Sequence, residues 1–331
     1  MSKIDFLAIG DIVTDAFIEL EEAWIETDNP EKSKELCMRF GEKLPFRDVV
    51  IVPAVGNSPN AAVAAHRLGL NSALLTNMGD DSYGEEQLAQ LKKEKVATDY
   101  VQVHKGMKSN YHFVLRYKEE RTILVKHQEY DYKLPEINPA PKWIYLSSLA
   151  SNSLPHHLEI ADWLRKNPEI KLAFQPGTFQ IKLGAEKLKD LYELTELFFC
   201  NKEEAQKITN KKGSEIPELL KAMHDLGPKI VVITDGPEGA YTYDGKEIWH
   251  MPMYPDPKPP VDRTGAGDSF SSTFTCALIL GKSIPEALVW GPINSMSVVQ
   301  YIGAQEGLLS QEKLEEFLAK APANYKPEQL E

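Results

Sequence analysis

Only three cysteines occur in 331 residues, Cys37, Cys200 and Cys276. They are scattered and odd in number, so they form neither a disulfide framework nor a metal-binding spacing. Cys200 and Cys276 lie in apolar runs and read as buried thiols of a protein in the reducing cytoplasm. Positive charge is short as well: 37 Lys and Arg stand against 49 Asp and Glu, a formal net charge of −12. That balance argues against a nucleic-acid-binding surface and against anionic membranes as partners. No apolar run reaches the length that spans a bilayer, and Met1-Ser2-Lys3-Ile4-Asp5 leads directly into a strand pattern, with no signal peptide expected. Internal repeats and low-complexity tracts are missing. So are two glycine signatures. There is no Gly-x-x-x-x-Gly-Lys-Ser/Thr of a P-loop, and no Gly-x-Gly-x-x-Gly follows the first strand, which argues against a dinucleotide-binding oxidoreductase.

What is present is concentrated in Asp262-Arg263-Thr264-Gly265-Ala266-Gly267-Asp268-Ser269-Phe270. Phe270, Phe274, Ala277 and Leu278 follow at helical spacing, and Gly281 ends the run. Gly265, Ala266 and Gly267 therefore form a loop that opens a helix, with Asp268 in its first turn. Amides there lack intrahelical acceptors and sit at the positive end of the helix dipole. Such a site holds an anion beside a carboxylate able to take a proton, which is what phosphoryl transfer to an alcohol requires. An ordinary helix start, with Asp268 as a favourable first-turn charge, satisfies the same spacing.

The length suits one large α/β domain, and the 42% hydrophobic content supports a sizeable core. Strand patterns fall at Phe6–Ile9, 49–52, 73–76, Trp143–Leu146, 172–174, 197–200 and Ile230–Thr234. Helical patterns cover 58–68, 83–95, 155–166, 185–194 and 216–226. In the first, Ser58 reads as N-cap, Pro59 as the first helical residue and Gly69 as the stop. Short apolar strands alternating with helices imply a mostly parallel sheet covered on both faces. Tyr111–Tyr117 and 121–125 read as a hairpin joined by Lys118-Glu119-Glu120 and open on one face. The acidic segment 21–47 reads as an insertion with helical stretches. With the hairpin it makes a small β lid from parts of 12–52 and 108–127 on a single domain, 1–331. The polar tail after Ala321 reads as loosely held.

Other clusters carry chemistry less decisively. Asn57 and Asn60 in Gly56-Asn57-Ser58-Pro59-Asn60 either hold hydroxyls at a helix start or simply cap it. Asp15 either accepts from vicinal sugar hydroxyls or is a solvated loop residue. Gly79-Asp80-Asp81 with Gly84 reads as turn chemistry. Asn201-Lys202-Glu203-Glu204 follows a strand, where Glu204 either organises Mg²⁺ through water or belongs to a helix-capping cluster. Thr234, Gly236 and Gly239 suit a nucleotide phosphate, or a plain turn. His66, His112 and His127 show no metal spacing and read as surface or structural histidines.

Together these segments resemble, in order and over nearly the whole chain, the ribokinase family of carbohydrate and nucleoside kinases, also called the PfkB family. The stretch from Asp262 to Phe270 resembles its C-terminal signature, and Gly56 through Gly69 its N-terminal one. The resemblance implies a ribokinase-like three-layer α/β sandwich with a mostly parallel central sheet and a small β lid, the lid often building a homodimer. It implies ATP as donor, Mg²⁺ as cofactor and a small sugar or nucleoside as acceptor. Asp268 matches the catalytic base, and Gly265, Ala266 and Gly267 the anion hole. Asp15, Gly56, Asn57 and Asn60 match positions that hold acceptor hydroxyls. Asn201, Glu204, Thr234, Gly236 and Gly239 match the Mg²⁺ and nucleotide-phosphate region. Asp262, Thr264 and Gly303 fall where many members place a monovalent cation, usually K⁺. Val55 stands where a first glycine is usual. Asn57 replaces the lysine of ribokinases proper, and Val13 their asparagine; both argue against a ribose-specific pocket. The expected activity is transfer of the γ-phosphoryl group of ATP to a sugar hydroxyl. A nucleoside kinase and a catalytically inactive sugar-binding protein are the alternatives.

Overall fold

In a computed structural model, residues 3–27, 34–118 and 120–330 are described. The chain begins with β1 (Phe6–Ile9), β2 (Val13–Leu20), β3 (Trp24–Glu26), β4 (Glu35–Cys37) and β5 (Phe46–Val55). There follow α1 (Asn57–Arg67), β6 (Ser72–Gly79), α2 (Ser82–Lys93), β7 (Val101–His104), β8 (Tyr111–Tyr117) and β9 (Glu120–Leu124). The middle holds β10 (Trp143–Leu146), α3 (Leu154–Lys166), β11 (Lys171–Phe174), α4 (Thr178–Leu183), α5 (Lys189–Leu194), β12 (Thr195–Asn201), α6 (Lys202–Thr209) and α7 (Ile216–His224). The chain closes with β13 (Ile230–Thr234), β14 (Ala240–Tyr243), β15 (Ile248–Met251), α8 (Ala266–Ile279), α9 (Ile284–Val298), α10 (Gln311–Ala319) and β16 (Glu328–Leu330).

The main sheet has ten strands in the order β16-β15-β14-β13-β12-β11-β10-β1-β6-β7. From β7 through β13 the neighbours pair in parallel, and β14, β15 and β16 extend one edge antiparallel. Side chains of a strand alternate between faces. Phe6 and Ala8 of β1 accordingly join a core with residues of α1, α8, α9 and α10, while Leu7 and Ile9 join a second core with residues of α3, α5 and α7. Continuous apolar runs were legible as strands because both faces are covered. A separate four-stranded sheet, β5-β2-β8-β9, carries the hairpin.

Three expectations need correction. Segment 21–47 forms no helix among its described residues; instead β3 and β4 make a short antiparallel ribbon. Residues 28–33 of that segment, and Glu119 in the hairpin turn, lie outside the described residues. The helix expected over 185–194 is confined to Lys189–Leu194. The tail is tied down: β16 pairs with β15, and buried Tyr325 donates its hydroxyl to the Val289 carbonyl at 2.6 Å.

Candidate active site

Parallel strands place their C-terminal ends along one rim, where α/β proteins gather ligand-binding groups. Here β1 delivers Asp11, β11 delivers Gln175, β12 ends at Asn201 and β13 ends at Thr234. The start of α8 lies against this rim. Its N-cap, Gly265, has φ 82, and a Cβ there would lie 2.3 Å from the Ala304 Cβ. Only glycine meets both conditions. Among the described residues, no backbone acceptor lies within reach of the Gly267 and Asp268 amides. They are free to face an anion, and a Cβ on Gly267 would meet nothing nearer than the Gln175 Nε2 at 4.0 Å.

Asp268 is held by three side-chain amides. Asn57 Nδ2 and Gln175 Nε2 donate to its Oδ1 at 2.7 and 3.2 Å, and Asn60 Nδ2 donates to its Oδ2 at 2.9 Å. The donors are themselves oriented. Gln305 Nε2 donates to Asn60 Oδ1 at 3.0 Å, which turns the Asn60 nitrogen toward Asp268. Tyr145 donates its hydroxyl to Gln175 Oε1. Burial raises the Asp268 carboxyl above its ordinary range, the Asn60, Asn57 and Gln175 amides oppose the rise, and the charge of Asp15 adds to it. The net direction is upward, toward a group that takes a proton more readily than an ordinary carboxylate.

Two cavities meet here. One, of about 270 Å³, is lined by Thr234, Gly236, Gly239, Tyr254, Ala266 and Gly267 among others. The second, of about 210 Å³, is lined by Asn57, Gln175, Asn201, Glu204, Thr234, Gly267 and Asp268 among others. Thr234, Gly267 and Phe270 belong to both walls. Gly239 has φ 92, and a Cβ there would lie 2.1 Å from the Met251 carbonyl oxygen.

Asn201 and Glu204 form a reciprocal helix cap. The Asn201 amide donates to Glu204 Oε2 at 2.9 Å, and the Glu204 amide to Asn201 Oδ1 at 2.8 Å. Burial raises the Glu204 carboxyl. Asp262, Thr264 and Gly303 are also together: Asp262 Oδ1 accepts from the Thr264 amide at 3.0 Å and its hydroxyl at 2.8 Å, and Oδ2 accepts from the Gly303 amide at 3.0 Å. Among the described residues, no group of three His, Cys, Asp or Glu side chains is arranged to hold a metal ion.

The start of α1 differs from expectation. Gly56, with φ 120, is the N-cap, whereas Ser58 is buried inside the helix and donates its hydroxyl to the Ile9 carbonyl at 2.7 Å. Backbone strain sits at Ala54 (φ 61) rather than at Val55. Asp15 is not a solvated loop residue; it is buried on β2. His112 and His127 are not on the surface either. His127 Nδ1 lies 2.6 Å from Asp11 Oδ2, and His112 Nδ1 lies 3.4 Å from Asp15 Oδ1. Tyr132 donates its hydroxyl to Asp11 Oδ1 at 2.8 Å.

Sequence reasoning missed Gln175 and Asp11, and it read His112 and His127 as surface or structural residues without placing them beside Asp15 and Asp11. Gln175-Pro176-Gly177 after an apolar strand is a signal of a polar strand-end group. Nothing local announces His127, which meets its partner across 116 positions.

Known proteins carry the same architecture. The sequence profile of the family described as "pfkB family carbohydrate kinase" matches residues 31–311. A ribokinase of Bacillus subtilis is 30% identical over 290 residues, covering 85% of this chain and 92% of the relative. The solved nucleoside kinase of Methanocaldococcus jannaschii superposes with a TM-score of 0.76 at 20% identity, covering 97% of this chain and 100% of that one. A putative ribokinase II of E. coli, solved with ATP and Mg²⁺, gives 0.72 at 17% identity, covering 96% and 99%. At such identities the two structural likenesses show the fold, a ribokinase-like three-layer arrangement.

Proposed function

From the chain's membership in the pfkB family of carbohydrate kinases, and hence among ATP-dependent phosphotransferases, we propose that it transfers the γ-phosphoryl group of ATP to a hydroxyl of a small sugar or sugar-like acceptor. The observation that carries this reading is Asp268 beside unpartnered helix-start amides, at the junction of two cavities. ATP lies in the larger cavity, its phosphates over Gly236, Gly239 and the amides of Gly267 and Asp268. The acceptor lies on the side of Asp15, Asn57 and Asn60, and the small sheet β5-β2-β8-β9 acts as its lid. Asp268 takes the hydroxyl proton, and the amides stabilise the charge that develops on the transferred group. Phosphoryl transfer asks a protein chiefly for positioning and electrostatics.

Mg²⁺ fits Glu204, which lines the smaller cavity, because Mg²⁺ keeps several waters and needs few protein carboxylates. When bound it neutralises phosphate charge. Asp262, Thr264 and Gly303 gather into one loop cluster suited to a monovalent cation, a reading tested by comparing activity in K⁺ and in tetramethylammonium. A sugar and a nucleoside remain the two acceptor classes. The nucleoside is the second reading, because relatives of both kinds are known, a ribokinase and a nucleoside kinase.

The outer face of the small sheet aligns Ile51, Phe113 and Leu124, all exposed, in one cross-strand row with Ala16. An apolar row of this kind suits a second copy of the chain, and sedimentation of wild type against Phe113→Glu tests it. The functional reading is tested by ADP release over a panel of sugars, sugar acids and nucleosides. It expects acceptor-dependent turnover with at least one class. Sugar binding without turnover across the panel supports the inactive binding protein instead.

A further inference from the structure

Asn60 is fixed from both sides. Its Nδ2 donates to Asp268 Oδ2 at 2.9 Å, and its Oδ1 accepts from Gln305 Nε2 at 3.0 Å. Asn60 and Gln305 are both buried, and among the described residues no other donor reaches Asn60 Oδ1. The same Gln305 nitrogen donates its second proton to the Ala54 carbonyl at 2.7 Å. An amide NH₂ has two donors, so both are committed.

Gln305 is itself held by its loop. Before it, the Gly303 amide donates to Asp262 Oδ2 at 3.0 Å. Arg67, at the end of α1, donates through Nη1 to the Gln305 and Leu308 carbonyls at 2.8 and 2.9 Å, and its Nε and Nη2 donate to Glu94 Oε2 at 3.2 and 3.0 Å. After it, the Leu309 amide donates to Asn294 Oδ1 at 3.0 Å. Ala54 is buried with φ 61, a conformation that a non-glycine residue keeps only when its surroundings impose it.

The two oxygens of Asp268 are not equivalent. Oδ1 accepts from Asn57 and Gln175, which fills its two lone-pair directions, whereas Oδ2 accepts from Asn60 alone. An incoming hydroxyl proton therefore goes to Oδ2. While Asp268 is charged, that charge itself draws the Asn60 NH₂ toward it. Once Oδ2 carries a proton the attraction is gone, and an Asn60 free to turn would present its oxygen and hold the new O–H. Gln305 opposes that turn, because it would set two buried NH₂ groups against each other.

Resting on the functional reading above, we infer that Gln305 is a positioning residue of the transfer reaction: it keeps Asn60 a donor to Asp268 before and after the carboxylate takes the proton, so that one lone pair of Oδ2 stays open to the acceptor hydroxyl. The hydroxyl O–H breaks and its proton goes to Oδ2. The oxygen keeps the electron pair for the γ-phosphorus, from which ADP leaves. Gln305 exchanges no proton.

The experiment measures steady-state kinetics and thermal melts of wild type, Gln305→Met, Asn60→Ala and the double variant, with whichever acceptor among sugars, sugar acids and nucleosides is turned over. Methionine keeps the length and burial of glutamine and removes its donors. Gln305→Asn, one methylene shorter and out of reach of Asn60, is run beside it and puts the same question if the Met variant does not fold. Both should lower kcat about tenfold, the scale of one hydrogen bond to a buried group, and leave the KM for ATP within about threefold. Tm should fall by a few degrees, because the Ala54 carbonyl loses its donor. In the Asn60→Ala background no amide is left to orient, so Gln305→Met should change kcat by less than about threefold while lowering Tm as before. A purely structural Gln305 would act equally in both backgrounds. Folded variants with kcat within threefold of wild type overturn the inference alone, and so does a kcat loss in the Asn60→Ala background as large as that in wild type. A wild type inert on every acceptor overturns the kinase reading, and this inference with it.

Discussion

Replacing Asp268 by Asn separates the chemistry proposed for this side chain from its place in the fold. The two side chains have nearly the same shape, so packing around α8 is kept. The amide has one acceptor oxygen where the carboxylate has two. That oxygen should settle on the Oδ1 side, where the donors from Asn57 and Gln175 converge at 2.7 and 3.2 Å. The new NH₂ then faces Asn60 Nδ2, which now donates to Asp268 Oδ2 at 2.9 Å. A buried donor left without an acceptor costs about 1–3 kcal/mol. Against this stands the removal of a charge that burial disfavours relative to water. The two effects oppose each other, so Tm should move by no more than a few degrees. Loss of a general base lowers turnover about 10²–10⁴-fold, or about 2.7–5.4 kcal/mol of transition-state stabilisation. Coupled ADP-release kinetics and thermal melts on the same preparation measure both. A variant that melts like wild type and turns over within threefold of it refutes the base assignment. A variant that loses its fold refutes the compensation argument.

The two glycines of the same loop should fail differently. Gly265→Ala places a methyl against Ala304 at a positive φ, costing about 1–2 kcal/mol from the backbone alone, so Tm falls. Gly267→Ala meets nothing nearer than the Gln175 Nε2 at 4.0 Å, so Tm holds while turnover falls at least about tenfold because the methyl intrudes on the wall shared by both cavities. Glu204→Gln can still accept from the Asn201 amide, so stability holds, whereas the Mg²⁺ concentration for half-maximal activity should rise about tenfold. Tyr325→Ala empties a buried site beside Tyr254 of the larger cavity and should cost about 3–5 kcal/mol, read as a lower denaturant midpoint. The raised Asp268 carboxyl means that the folded state holds this proton more tightly than the unfolded chain does. Activity should therefore lose its acidic limb above the usual carboxylate range of about 4, and this residue's contribution to stability should decline as pH rises through that interval. A kcat profile flat down to pH 4 contradicts this.

The parallel sheet was legible because buried strands such as Trp143–Leu146 and Ile230–Thr234 are short, uninterrupted apolar runs. The helix start at Asp268 was legible because its glycines, carboxylate and apolar periodicity are contiguous. The ribbon of β3 and β4 was not, since its strands have three residues each, β3 is exposed and β4 no more than half-buried, and neither shows an alternation strong enough to read. The tail was misread because β16 is specified by pairing with β15 and by Tyr325, both remote contacts rather than local patterns. Ser58 looked like a cap because its type and position fit, but its hydroxyl is used across the core, on Ile9 and Ser147. The same limit hid Gln175 and the Asp11–His127 pair. Each acquires its role only when strand ends distant in sequence are brought to one rim.

The most direct measurement follows the label of γ-³²P-ATP in wild type and Asp268→Asn incubated in parallel with the acceptor panel. Label should pass into a sugar or nucleoside phosphate ester with the wild type, and at least about 10²-fold more slowly with the variant. Label found only in inorganic phosphate, or ester formed equally fast by both proteins, contradicts transfer at this site.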